Sequence, residues 1–133
     1  VAIPTDELKP LYFVVPAVRE DLMGMPEPVR KEFGHALYMA QDGRTHSNAK
    51  PLKSFGAGVL EVVERHDGGA YRAVYTVRFE EAIYVLHVFQ KKSTEGIKTP
   101  QRELNVITER MKHAQRLHDE TMATQNKLAR KGR

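Results

Sequence analysis

Three β-rich stretches follow one another with no helical pattern between them, and this succession constrains the fold more than any other feature of the chain. They are Val59–Arg65, Tyr71–Phe79 and Ala82–Gln90. Each is dense in branched and aromatic residues, which pack well on a pleated surface. Asp67-Gly68-Gly69 stands between the first two. Those residue types tolerate the positive φ angles of a two-residue hairpin turn. Glu80-Glu81 separates the second from the third. The reading is an antiparallel meander.

What precedes the meander is helical. Leu11–Val15 is a short apolar run closed by Pro16 and reads as a buried strand. Val18, Leu22 and Met25 then recur about one helical turn apart, until Gly24, Pro26 and Pro28 break the pattern. A second helix is predicted over Glu27–Gln41, with Val29, Phe33, Ala36, Leu37 and Ala40 as its apolar stripe and Gly43 past its end. Two helices joined by so tight a break form a hairpin able to cover one face of a sheet. Residues 44–58 read as a polar, basic loop. After the meander, Ser93–Lys98 is a loop, and Thr99-Pro100 looks like an N-cap followed by proline at the first helical position. The helix behind it uses Leu104, Ile107 and Met111. Ala114, Leu117 and His118 extend it weakly, and fraying is expected from about Thr121. The order is β-α-α-β-β-β-α, an α+β domain over residues 11–112, with a loose arm at 1–10 and a basic extension at 113–133.

Composition narrows the function. The chain of 133 residues has no cysteine, which excludes disulfides, thiolate zinc sites and a cysteine nucleophile. No apolar run reaches the roughly 18 residues of a membrane span. The first ten residues mix Asp6, Glu7 and Lys9, unlike a signal or transit peptide, so the expected location is the cytoplasm. The net charge of +4 is concentrated. Residues 90–102 carry Lys91, Lys92, Lys98 and Arg102 against Glu95, and residues 113–133 carry Arg116, Lys127, Arg130, Lys131 and Arg133 against Asp119 and Glu120. Two basic clusters point to a located polyanion contact, the alternative being a solvated surface with a basic end.

Several side chains stand out within this frame. Arg72 lies in the middle of a central strand, where a charge is costly unless it faces a groove or a partner. Lys91 and Lys92 close the last strand on opposite faces, as phosphate ligands or as charged strand ends. Lys50 and Lys53 precede the first meander strand, and Lys98 precedes the last helix, whose free N–H groups favour phosphate. His87 shares strand parity with Val85 and Phe89, and a lone histidine among apolar neighbours is more often a structural hydrogen-bonder than a catalyst. His35, His46, His66, His113 and His118 show no metal-ligand spacing with acids, so neither metal nor cofactor is expected. Tyr71 and Tyr75 share a face with each other and not with Arg72. If Arg72 meets RNA, these tyrosines face the helices.

Lys50-Pro-Leu-Lys-Ser-Phe-Gly56, Tyr71-Arg-Ala-Val-Tyr75 and Leu86-His-Val-Phe-Gln-Lys-Lys92, followed by Thr99-Pro100, occur in an order that resembles the RelE/ParE toxin superfamily, in particular its HigB-like, phage-derived branch. The resemblance covers residues 11–112. It implies the toxin of a toxin–antitoxin pair, held inactive by a partner antitoxin that is often a helix-turn-helix protein. It also implies a metal-independent endoribonuclease that cuts mRNA on the ribosome. Arg72 then stands where such toxins keep an arginine near the scissile phosphate, and Lys92 matches an arginine at their strand end. These toxins place two lysines on the first meander strand, where this chain reads Leu60-Glu-Val-Val-Glu-Arg65. Glu61 is the substitute base and Arg65 the substitute phosphate ligand. The residues and the resemblance together give Arg72, Lys92, Lys91, Glu61 and His87 as catalytic candidates, and Lys50, Lys53, Arg65, Lys98 and Arg102 as RNA contacts. The superfamily also holds ParE-type gyrase poisons without nuclease activity, and a binding module that has lost its chemistry is a third reading.

Overall fold

The computed structural model describes residues 7–91 and 98–131. Their elements are β1 (Leu11–Phe13), α1 (Pro16–Met23), α2 (Glu27–Gln41), β2 (Ala49–Pro51), a single 3-10 turn (Lys53–Phe55), β3 (Val59–His66), β4 (Gly69–Thr76), β5 (Ile83–Lys91) and α3 (Gln101–Lys131). One five-stranded sheet has the order β1-β5-β4-β3-β2. The α+β class and the meander are as expected. Asp67 and Gly68 both have positive φ (47° and 76°), the requirement of the predicted two-residue turn.

The sheet sorts its side chains into two layers. Along β3, β4 and β5, Glu61, Val63, Arg72, Val74, His87, Phe89 and Lys91 lie on one face by register. Leu60, Val62, Ala73 and Tyr75 lie on the other, under the helical hairpin, where α1 packs on β5 and α2 on β3. Tyr75 is fully enclosed there, so Tyr71 and Tyr75 do share the face opposite Arg72. The core joins Phe33, Val62, Tyr75, Ile83, Leu86 and Ile107. Burying a side chain of this size contributes about 1.5–3 kcal/mol. The first face belongs to α3. His87 meets Glu103, Arg110 donates to the Leu86 carbonyl, and Tyr84 meets His118. That helix covers the β5 side and leaves the β2–β3 side of the same face open.

Five expectations need correction. The run 11–15 is a three-residue edge strand, half-buried and parallel to β5, and its apolar character serves Val14, which turns into the core. Lys9 and Pro10 do not belong to a loose arm. Lys9 exchanges two hydrogen bonds with Gln41, and the Pro10 carbonyl accepts from Ile83 N–H. Residues 44–58 are not all loop, since Ala49–Pro51 adds an edge strand to β3. The second meander strand stops at Thr76, leaving Phe79 in the connection, where it stacks on His118 at 4.3 Å. Finally, α3 does not fray at Thr121 but continues to Lys131; Ala114 and His118 are buried and hold it on the sheet as far as His118. Past His118 the helix has no buried residue.

Candidate functional site

The open part of the α3 face forms a groove of about 550 Å³ lined by Asn48, Lys50, Glu61, Val63, Glu64, Arg65 and Arg72. Cross-strand pairing builds it. Lys50 stands opposite Glu61, and Val63 stands opposite Arg72. Glu61 and Arg72 are therefore diagonal neighbours on one face, within reach of long side chains. The Arg72 Nη1 donates to Glu61 Oε1 at 2.5 Å. Both side chains are about nine-tenths buried (9% and 11% exposed). A buried charge needs a partner of this kind, because desolvating either ion alone costs several kcal/mol.

Thr99 completes the arrangement, and the sequence reading assigned it a different task. Its hydroxyl donates to the second Glu61 oxygen at 2.9 Å and lies 3.5 Å from Arg72 Nη1. It does not cap α3. The helix opens one residue later than expected, with the Pro100 carbonyl accepting from Glu103 and Leu104 N–H. Both carboxylate oxygens of Glu61 are thus engaged, one by a guanidinium and one by a hydroxyl. No local signal in the sequence pairs this hydroxyl with Glu61, 38 residues away.

The other candidates fall into three groups. Lys50 and Arg65 are exposed on the groove, on the Glu61–Arg72 face. Lys91 is buried on that face, opposite Ala70 and next along from Arg72. Lys53, Lys98 and Arg102 are exposed outside the groove, Lys53 on the 3-10 turn and the other two around the start of α3. Lys92 lies outside the described residues.

His87 is on the same face but occupied beneath α3. Arg110 donates to its Nδ1 at 2.9 Å, which places the neutral ring's proton on Nε2, where it donates to Glu103 at 3.0 Å. The ring also stacks on Phe89 at 4.7 Å. Burial pushes the His87 pKa below its usual value, Glu103 opposes the shift and Arg110 adds to it. The ring is therefore neutral at physiological pH. His87 borders a second, larger hollow of about 830 Å³ along the unpaired half of β5, but Glu20, Asp21 and Glu103 line that hollow. Arg102 is the one cation of that lining, so the hollow is net acidic, whereas the smaller groove sets Lys50, Arg65 and Arg72 against Glu61 and Glu64 and is net cationic.

Among the described residues one cluster brings metal-ligand types together: Glu32, His35 and His46. Its hydrogen bonds oppose coordination. Asn48 N–H donates to His46 Nδ1, so the neutral ring carries its proton on Nε2, the atom 3.0 Å from Glu32. That geometry is a donor facing a carboxylate. No helix of the described residues is long and apolar enough to cross a membrane.

Comparison with known proteins gives one relationship. Residues 20–112 match the family described as Phage derived protein Gp49-like (DUF891). No curated protein and no solved structure matches the chain.

Proposed function

We propose, on the premise that this chain belongs to the Gp49-like family of phage-derived proteins, that it is the toxin of a toxin–antitoxin pair and acts as a metal-independent endoribonuclease on ribosome-bound mRNA. The family's association with such toxins supports the first half. The second rests on a single observation: a buried carboxylate–guanidinium pair, Glu61 with Arg72, forms the wall of a groove whose exposed side chains include Lys50 and Arg65.

The chemistry follows from those groups. RNA carries its own nucleophile, the 2′-hydroxyl, beside each phosphate. Glu61 takes its proton as the 2′-oxygen bonds to phosphorus. Arg72 offers a planar fork to the phosphoryl oxygens as their charge grows, with Lys50 and Arg65 holding the flanking backbone. The P–O5′ bond breaks, leaving a 2′,3′-cyclic phosphate, and the departing 5′-oxygen takes a proton from Lys91 or Lys92. In this scheme the incoming phosphate competes with Glu61 for Arg72, so binding substrate also frees the base. His87, bonded through both ring nitrogens, holds α3 against β5 rather than moving protons. The protein works in the cytoplasm, and its partner is an antitoxin, of helix-turn-helix type, that covers the groove.

The decisive assay is cleavage of mRNA on purified ribosomes, read by primer extension, alongside growth arrest on expression. Arg72→Lys keeps the charge but loses the fork, and is expected to lower cleavage at least about tenfold with the fold retained. Arrest with intact messages and an induced DNA-damage response overturns the nuclease in favour of a gyrase-directed toxin. Absence of toxicity with retained antitoxin binding reduces the protein to a binding module.

A further inference from the structure

The outer face of α3 is unusual in what it lacks. Ile107, Met111, Ala114 and His118 form the buried stripe of this helix. At 100° per residue, Lys112, Arg116, Lys127, Arg130 and Lys131 all fall within about 60° of the direction opposite His118. All five are exposed. The same sector holds only two acids, Glu109 and Glu120. Glu109 is bonded to Lys112 at 3.3 Å, and Arg116 reaches His113 at 3.4 Å. The last three cations stand on the turns beyond His118. There the helix leaves the sheet and runs another 13 residues, about 20 Å.

A clasp aims this arm. His118 lies between Tyr84 (3.2 Å) and Glu81 (2.8 Å), with Phe79 stacked on its ring. These contacts pin α3 to the connection between β4 and β5 just before the helix becomes free of packing. The helix starts beside Glu61 and Arg72 through Thr99, so Lys131 stands about 45 Å away along the axis. A single-stranded message lying in the groove does not reach that far unless it is long. His118 and the arm lie outside residues 20–112, the part of the chain that matches the family, while Phe79, Glu81 and Tyr84 lie within it.

We propose that the last turns of α3, through Lys127, Arg130 and Lys131, form a second RNA contact that grips the phosphate backbone of ribosomal RNA, at a distance from the cleavage groove. This rests on the RNA reading of the groove and adds a partner surface to it. The chemistry of the face selects the partner. Protein interfaces are depleted in lysine and built around aromatic and apolar anchors, whereas nucleic-acid interfaces are polar and strongly cationic. The arm offers cations with one exposed large apolar side chain, Leu128. A membrane-surface helix needs an apolar face wide enough to insert, and this one has spent its apolar stripe on the sheet by His118. The competing explanation is that Arg130 and Lys131 merely complement the negative end of the helix dipole. That role stabilises the helix and has no effect on binding.

The test compares the full chain with Lys127→Gln/Arg130→Gln/Lys131→Gln, and with a chain ending at Gln125, for binding to intact ribosomes across a salt series and to a ten-nucleotide single-stranded RNA. Glutamine has a helix propensity close to that of lysine and arginine. The expected result is ribosome affinity about tenfold weaker for both variants, and a salt slope shallower by about 2 for three lost phosphate contacts. Short-RNA binding and the melting temperature stay unchanged. Ribosome binding and salt slope equal to those of the unaltered chain overturn the arm and leave the groove standing. A lower melting temperature with unchanged binding assigns the cations to the helix dipole alone, which also overturns it. An equal loss of binding to polyglutamate marks a surface for an acidic protein and overturns the RNA assignment. Failure of the unaltered chain to bind ribosomes or RNA refutes the groove reading and the arm together.

Discussion

Removing Arg72 without touching Glu61 confuses two effects, and the structure says how to separate them. In Arg72→Met the Glu61 carboxylate, about nine-tenths buried in the unaltered chain, keeps the bond from the Thr99 hydroxyl but loses its guanidinium partner. Breaking one side of a buried ion pair costs about 3–5 kcal/mol, a large share of the roughly 5–15 kcal/mol that holds a domain together. With a urea slope of about 2 kcal/mol per M, the unfolding midpoint drops by about 2 M. Loss of toxicity in that protein proves little, because the fold is failing too. The double variant Glu61→Leu/Arg72→Met removes both charges and fills the space with apolar atoms of similar volume, an exchange that is typically neutral or stabilising. We expect its urea midpoint at or above that of the unaltered chain, with growth arrest and message cleavage abolished. The single variant is expected to lose both stability and activity. A double variant that still arrests growth refutes the site. An Arg72→Met protein as stable as the original refutes the idea that Glu61 depends on the guanidinium.

Three further outcomes follow from the same contacts. Thr99→Val removes the hydroxyl that bonds Glu61 and is expected to cost about 1 kcal/mol, read as a fall of about 3–6 °C in melting temperature; an unchanged melting temperature contradicts the bond. Burial holds the His87 pKa below 6.5, so the folded state favours the neutral ring; its contribution is complete above pH 6.5 and is lost as the pH falls below that value. Melting temperature therefore declines from pH 7 to pH 5, and His87→Gln, which cannot titrate, is expected to flatten that decline; equal slopes for both proteins count against it. Gly68→Ala forces a Cβ onto a residue with φ of 76° at the tip of the β3–β4 hairpin and is expected to cost about 1–2 kcal/mol in urea unfolding, with cleavage on ribosomes unchanged.

Much of the fold could be read because its signals are local. The branched and aromatic runs of the meander, the Gly24–Pro26 break and the apolar stripe of α2 all act within a few residues. What escaped the reading depends on partners distant in sequence. Ala49–Pro51 has no strand pattern of its own and becomes one only by pairing with Leu60–Val62. The stretch from Ala114 to His118 looks only weakly helical until His118 finds Tyr84 and Glu81, more than thirty residues back. Phe79 resembles a strand residue for the same reason. Its apolar ring packs on His118, a contact that no period in the sequence announces.

The candidate site divides along the same line. A two-residue turn at Asp67-Gly68 pairs His66 with Gly69, and counting back along both strands pairs Val63 with Arg72. That count alone sets Glu61 two residues from the arginine's partner on the same face, so the ion pair was available from the turn identity and strand parity. Lys91 was less accessible to such counting, because the β4–β5 ladder shifts register between Val74 and Tyr75, and its longer connection gives no fixed starting pair. Thr99 was out of reach altogether. Only the docking of α3 across the sheet brings its hydroxyl to Glu61, 38 residues away. The difference has a chemical consequence. The pair that local rules could find supplies the charges, while the residue they could not find holds the carboxylate's second oxygen. A site of this kind takes its charges from the hairpin and its orientation from the tertiary fold.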